Sequence, residues 1–178
     1  SSAASDVYKR QVLSFERSSH PGLLFTAYYD ASLPDIEADR DKLHQVFLNL
    51  VRNASEACPA DGRVRVLTRH CAHWELAGTN LDPTRRYILV SIEDEGPGIP
   101  EELRKNIFKP LFSTKKQGTG LGLSISFRLV ESHGGQLRYQ PSERSGACFQ
   151  VILPESQSEP LEENSPNFVY QDLRKEIS

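Results

Sequence analysis

The chain has 178 residues, 38% of them hydrophobic and 25% charged, with a net charge of −3. That is one ordinary domain's length, without the basic excess of a nucleic-acid binder. No run of about 18 apolar residues exists to cross a membrane. Three cysteines, Cys58, Cys71 and Cys148, have no CxxC spacing, which argues against a disulfide framework or structural zinc and for reduced thiols in the cytoplasm.

The sequence divides into three stretches. Residues 1–11 are small and polar and read as a disordered or non-native end, without the basic-then-apolar order of a secretory signal. Residues 12–154 form the compact domain. Residues 155–178 begin as a Glu-, Ser- and Pro-rich acidic linker and end in NFVYQDLRKEIS, which can form a short helix.

Within the domain, residues 23–30 are apolar and aromatic enough for a strand. Asp39 opens a helix whose buried face is Leu43, Val46, Phe47, Leu50, Val51 and Ala54, ended by Pro59 and Gly62. Residues 63–70 alternate polar and apolar as a half-buried strand. Residues 87–94 are more apolar and therefore central. The stretch between them reads as a loop or extended hairpin tip. A short helix is expected from Pro100 and a longer one from Leu121 to His133, stopped by Gly134 and Gly135. Two last strands, QLRYQP and ACFQVILP, make a hairpin. The order β-α-β-β-α-α-β-β predicts an α+β fold, a two-layer sandwich with a mixed, mainly antiparallel sheet and helices on one face.

Four motifs carry chemistry. Asn49 and Asn53 lie one helical turn apart and present amide oxygens, hard neutral ligands suited to magnesium; two asparagines facing water would look the same. Asp94-Glu95-Gly96-Pro97-Gly98 follows the central strand. It reads as a plain turn, or as a carboxylate for an exocyclic amine beside glycines that admit a flat base. Phe108 and Phe112 bracket Pro110 before Lys115 and Lys116: core aromatics, or anchors for a loop with phosphate-directed cations. Gly118-Thr119-Gly120-Leu121-Gly122 runs into a helix, where free N–H groups favour an anion. It is neither a Walker loop nor a dinucleotide fingerprint; a flexible helix start with no ligand is the alternative.

In this order the motifs resemble the N-box, two glycine boxes and F-box of the GHKL superfamily, or Bergerat fold. More narrowly, residues 32–154 resemble the catalytic, ATP-binding domain of a sensor histidine kinase of the nitrogen-regulation type. The resemblance implies ATP and Mg2+ as ligands, with Asn53 on the metal and Asn49 assisting. It implies an ATP site formed by those two residues with Asp94 on the adenine amine, Gly96, Gly98, Ile99, Lys115, Gly118, Thr119, Gly120, Leu121 and Gly122. A lid over residues 100–117 would be pinned by Phe108 and Phe112. The implied reaction is γ-phosphoryl transfer to a histidine on a dimerisation domain, with a response regulator downstream and no nucleic-acid or membrane contact by this chain.

Two departures matter. Hydrolytic relatives carry a glutamate base where this chain has Asn49, and an amide cannot accept the proton from water. Glu56 stands where many histidine kinases have lysine, leaving phosphate charge to Lys115 or Lys116. None of the five histidines sits in an H-E/D-x-x-N/R-P context, so no acceptor histidine is expected within the chain. A non-catalytic nucleotide-gated module and an anti-sigma-type serine kinase are the alternatives on the same fold.

Overall fold

The computed structural model describes residues 19–114, 118–143 and 146–156. The predicted end at 1–11, the tail beyond Ser156, and Lys115 and Lys116 lie outside the described residues.

Five strands form one sheet in the order β1-β2-β3-β5-β4. They are β1 (Leu24–Tyr29), β2 (Arg63–His70), β3 (Tyr87–Asp94), β4 (Gln136–Pro141) and β5 (Ala147–Pro154). The helices are α1 (Arg40–Ala57), α2 (Glu101–Arg104) and α3 (Gly122–Ser132). The β1/β2 pair is parallel and the other three pairs are antiparallel. This is the α+β sandwich expected from the element order.

Strand parity sets the layers. Val64 and Val66 of β2, Ile88, Val90 and Ile92 of β3, and Phe149, Val151 and Leu153 of β5 point to the helix side. They pack on Val46, Leu50, Val51 and Ala54 of α1 and on Val130 of α3. The same parity carries Asp94, two residues after Ile92, to the helix side at the end of the central strand, where it is 2% exposed.

Helix boundaries follow local chemistry. Asp39 caps α1 by accepting from the backbone N–H groups of Asp41 and Lys42. The two long helices are also latched end to end. His133 closes α3, with Nδ1 at 2.6 Å from Leu129 O, while its Nε2 accepts from Asp39 N at 3.1 Å. Both contacts form together when Nδ1 donates to Leu129 O and Nε2 accepts from Asp39 N.

The stretch between β2 and β3 differs from a plain loop. It folds a 3-10 turn, His73–Leu76, across the sheet's outer face. Glu75 holds it: its carboxylate takes a two-pronged bond from Arg69 at 2.6 and 2.8 Å and accepts Ala72 N at 2.9 Å. Arg138 of β4 donates to its backbone carbonyl at 2.8 Å. The Arg69 bonds hold the Glu75 carboxyl below its usual range. Leu76 then covers Tyr87, Leu89 and Ile152 as a second small core. No sequence period announces this turn, because single polar bonds hold it, one of them from the distant Arg138. At the chain's described end, Glu155 is buried and meets His70 Nδ1 at 2.8 Å. All three cysteines are free thiols, and burial pushes Cys148 up to about 11.

Replacing His133 with Ala removes both ends of the α3–α1 latch. The expected cost is about 1–2 kcal/mol, read as a lower urea midpoint at unchanged m-value. An unchanged midpoint would mean that packing alone joins the helices.

Candidate functional site

A cleft of about 820 Å3 opens between α1, the β3 end and the start of α3, within the size range of small-molecule sites. One wall is a stripe on α1. Asn49, Arg52, Asn53 and Glu56 recur at i, i+3, i+4 and i+7, beside the stripe that α1 buries in the core. The sequence reading picked the two asparagines and missed Arg52, although the same period marks it.

The floor is Asp94. Its Oδ1 accepts from Gly96 N at 2.9 Å and Ala147 N at 3.1 Å, so Oδ2 is the oxygen left for a ligand. Burial pushes the carboxyl above its ordinary value, and the two N–H bonds oppose that shift without cancelling it. Glycines permit this packing. A Cβ on Gly146 (φ 91°) would lie 2.1 Å from Asp94 O, and one on Gly96 2.6 Å from Ala57 O. Gly96 therefore packs behind Asp94 and does not line the cleft, whereas Gly98 and Ile99 do. Gly146 and Ala147 come from the far hairpin, and only the β3/β5 register brings them here.

Apolar walls flank the carboxylate: Ile99, Leu103, Ile107 and Phe149. The loop after Asp94 is pinned, with Ile99 N donating to Tyr139 OH at 3.2 Å and Arg104 Nε to Ile99 O at 3.0 Å. Arg104 also lies over the Tyr139 ring, 5.5 Å from its centroid.

The two phenylalanines separate in role. Phe108 is packed against Phe127 at 5.1 Å and edge-on to Phe149 at 6.4 Å, as an anchor in the core. Phe112 also packs on the core and lines the cleft. Between them Leu111 adopts φ 64° and is 76% exposed, a strained conformation for a branched residue. Gly120 explains it: a Cβ there would sit 2.4 Å from the Leu111 carbonyl carbon. The two ends of the segment 111–120 thus touch backbone to backbone.

Gly118, Thr119, Gly120 and Gly122 line the cleft, while Leu121 faces outward. The start of α3 has no side-chain cap, so its first N–H groups remain for an anion. Asn49 is wedged on this turn. Its Nδ2 donates to Ser126 Oγ at 3.1 Å, and a Cβ on Gly122 would lie 2.3 Å from its Oδ1. Lys115 falls outside the described residues. Among those described, no group of three or more His, Cys, Asp or Glu is arranged to hold a metal by itself, and no helix is long and apolar enough to cross a membrane.

The family model described as "Histidine kinase-, DNA gyrase B-, and HSP90-like ATPase" matches residues 38–157. The sensory histidine kinase/phosphatase NtrB of Azospirillum brasilense is 40% identical over 132 residues, 73% of this chain and 33% of that protein. Sporulation kinase C of Bacillus subtilis is 39% identical over 119 residues, 67% of this chain and 25% of that protein. The chain thus spans a quarter to a third of these curated relatives. Among solved structures, the nucleotide-free catalytic domain of histidine kinase ThkA superposes with a TM-score of 0.70 at 32% identity, covering 84% of this chain and 91% of that one. ThkA in complex with the response regulator protein TrrA gives 0.65 at 30% identity, covering 85% and 40%. With the four motifs gathered around one cleft, the chain belongs to the histidine kinase-, DNA gyrase B- and HSP90-like ATPase family, as a catalytic domain of the sensor histidine kinase branch.

Proposed function

We propose that this domain binds ATP with Mg2+ and transfers the γ-phosphoryl group to a histidine on a separate helical dimerisation domain, from which a response regulator takes it. The observation that carries this reading is the buried Asp94. A carboxylate kept at the floor of an apolar cleft, with one oxygen saturated by backbone N–H groups and the other left over, is built to accept from an amine. The adenine amine supplies that donor, and Ile99, Ile107 and Phe149 supply apolar surface for the ring.

The far end of the cleft suits the phosphates. Uncapped N–H groups at the start of α3 and the backbone of Gly118–Gly120 offer donors, and Arg52 brings a cation that the sequence reading had assigned to lid lysines. Asn53, whose amide oxygen is a hard neutral ligand, would hold Mg2+. Bound there, Mg2+ would offset charge gathering on the phosphoryl oxygens. The acceptor imidazole attacks phosphorus with its unprotonated nitrogen; a P–N bond forms, the β–γ bridging P–O bond breaks, and ADP leaves. Water gains no such help, because an amide stands at Asn49 where a base would be needed. The reading puts the domain in the cytoplasm, where ATP and reduced thiols are found.

The test is transfer in trans. Mixed with a dimerisation domain from the same gene and Mg-ATP, the chain is expected to yield an acid-labile, alkali-stable phosphoprotein while releasing little phosphate alone. Asn53→Ala should abolish the transfer. Brisk phosphate release with no transfer would contradict the kinase reading and favour hydrolysis.

Asp94→Asn separates function from stability. Because burial raises the folded-state value of Asp94, the native chain binds its proton more readily than the unfolded chain does. Stability therefore falls as pH rises from the ordinary carboxylate value through the raised one, and the full cost stands above it. The Asn variant, which keeps an oxygen for both N–H groups, is expected to melt higher than the wild type at pH 7–8 without nucleotide. The gap should close in acid, where both side chains are neutral. ATP affinity should fall roughly tenfold or more. A variant that melts lower at pH 7–8, or binds ATP normally, would refute the assignment.

A further inference from the structure

Ser126 sits in the middle of α3 between Ile125 and Phe127 and is 1% exposed. A hydroxyl buried on a helix face needs a partner, since burying it unbonded is costly. Its partner lies on the opposite helix: Ser126 Oγ accepts from Asn49 Nδ2 at 3.1 Å. Gly122 and Ser126 are one turn apart on α3, and the Asn49 amide spans that turn, with Oδ1 against Gly122 and Nδ2 on Ser126.

The two ends of an amide have nearly the same shape but opposite polarity. The Ser126 hydroxyl, which can donate or accept, holds the Nδ2 end, and the start of α3 favours the oxygen end. With Nδ2 engaged, the oxygen faces the helix's positive end, where the macrodipole favours it. The fit at Gly122 is tight enough that even a methyl group would collide with Oδ1. Asn49 thus works as a strut that sets the height of the glycine turn above Asn53, one turn along α1.

Resting on the ATP reading above, we infer that Ser126 is a positioning residue: through Asn49 it seats the first turn of α3, and hence the phosphate end of the cleft, against α1. It touches no nucleotide itself. The adenine end, built from Asp94, Gly96 and Ala147, belongs to different elements and does not depend on it.

The test compares Ser126→Ala with the wild type for two ligands. Mg-AMP-PNP, measured by calorimetry, reads the whole cleft; adenosine, measured by NMR titration, reads only the base end. Ser126→Ala is expected to weaken Mg-AMP-PNP by roughly three- to tenfold and leave adenosine unchanged. Ser126→Thr, which keeps the hydroxyl, should restore affinity. In an Asn49→Ala background, Ser126→Ala should add no further loss. Should the Ala variant not fold, the near-isosteric Ser126→Cys, a much weaker acceptor, gives the same comparison. Equal loss for both ligands, or no loss for either, overturns the role of Ser126. A wild-type chain that binds neither ligand overturns the nucleotide reading and this inference with it.

Discussion

The site depends on one carboxylate held where water would normally prevent its use. Asp94 is placed by strand parity: the alternation that buries Ile88, Val90 and Ile92 carries the next helix-facing side chain to the cleft floor. Two backbone N–H groups, from Gly96 and Ala147, offset part of the cost of burying it. Those amides reach it only because Gly96 and Gly146 lack side chains. The remaining cost keeps the carboxyl above its ordinary value. The domain thus carries a charge that weakens its own fold, a trade expected at functional sites.

Much of this was legible in the sequence because it rests on local periods. The α1 face, the Asp39 cap, the central apolar strand and the glycines flanking α3 all follow from spacing and turn chemistry, and each appears in the structure. The elements that were not legible depend on contacts remote in sequence. The parallel seating of β1 on β2 is set by the crossover of α1. The Glu75 turn needs, besides the nearby Arg69, Arg138 on a strand 63 residues away. Gly146 looks like any hairpin glycine until the β3/β5 register sets it against Asp94. Asn49 was read as a metal ligand in support of Asn53; the structure adds a mechanical tie to Ser126 that no local pattern contains.

The segment after α2 is anchored to a rigid frame. Ile107 and Phe108 are fixed in the core, and Phe108 stacks among aromatics of α3 and β5. Immediately beyond, Leu111 takes a strained left-handed backbone against Gly120. Leu111, Leu121 and Ile125 expose aliphatic surface.

The central claim is that the Asp94 carboxylate selects the base by accepting from its amine. Competition between ATP and GTP for the wild-type cleft tests this most directly, because guanine presents a carbonyl where adenine presents the amine. Setting a carbonyl against a buried carboxylate forfeits the bond and adds repulsion, so GTP should compete at least roughly tenfold more weakly than ATP. Equal competition by the two nucleotides would contradict the account.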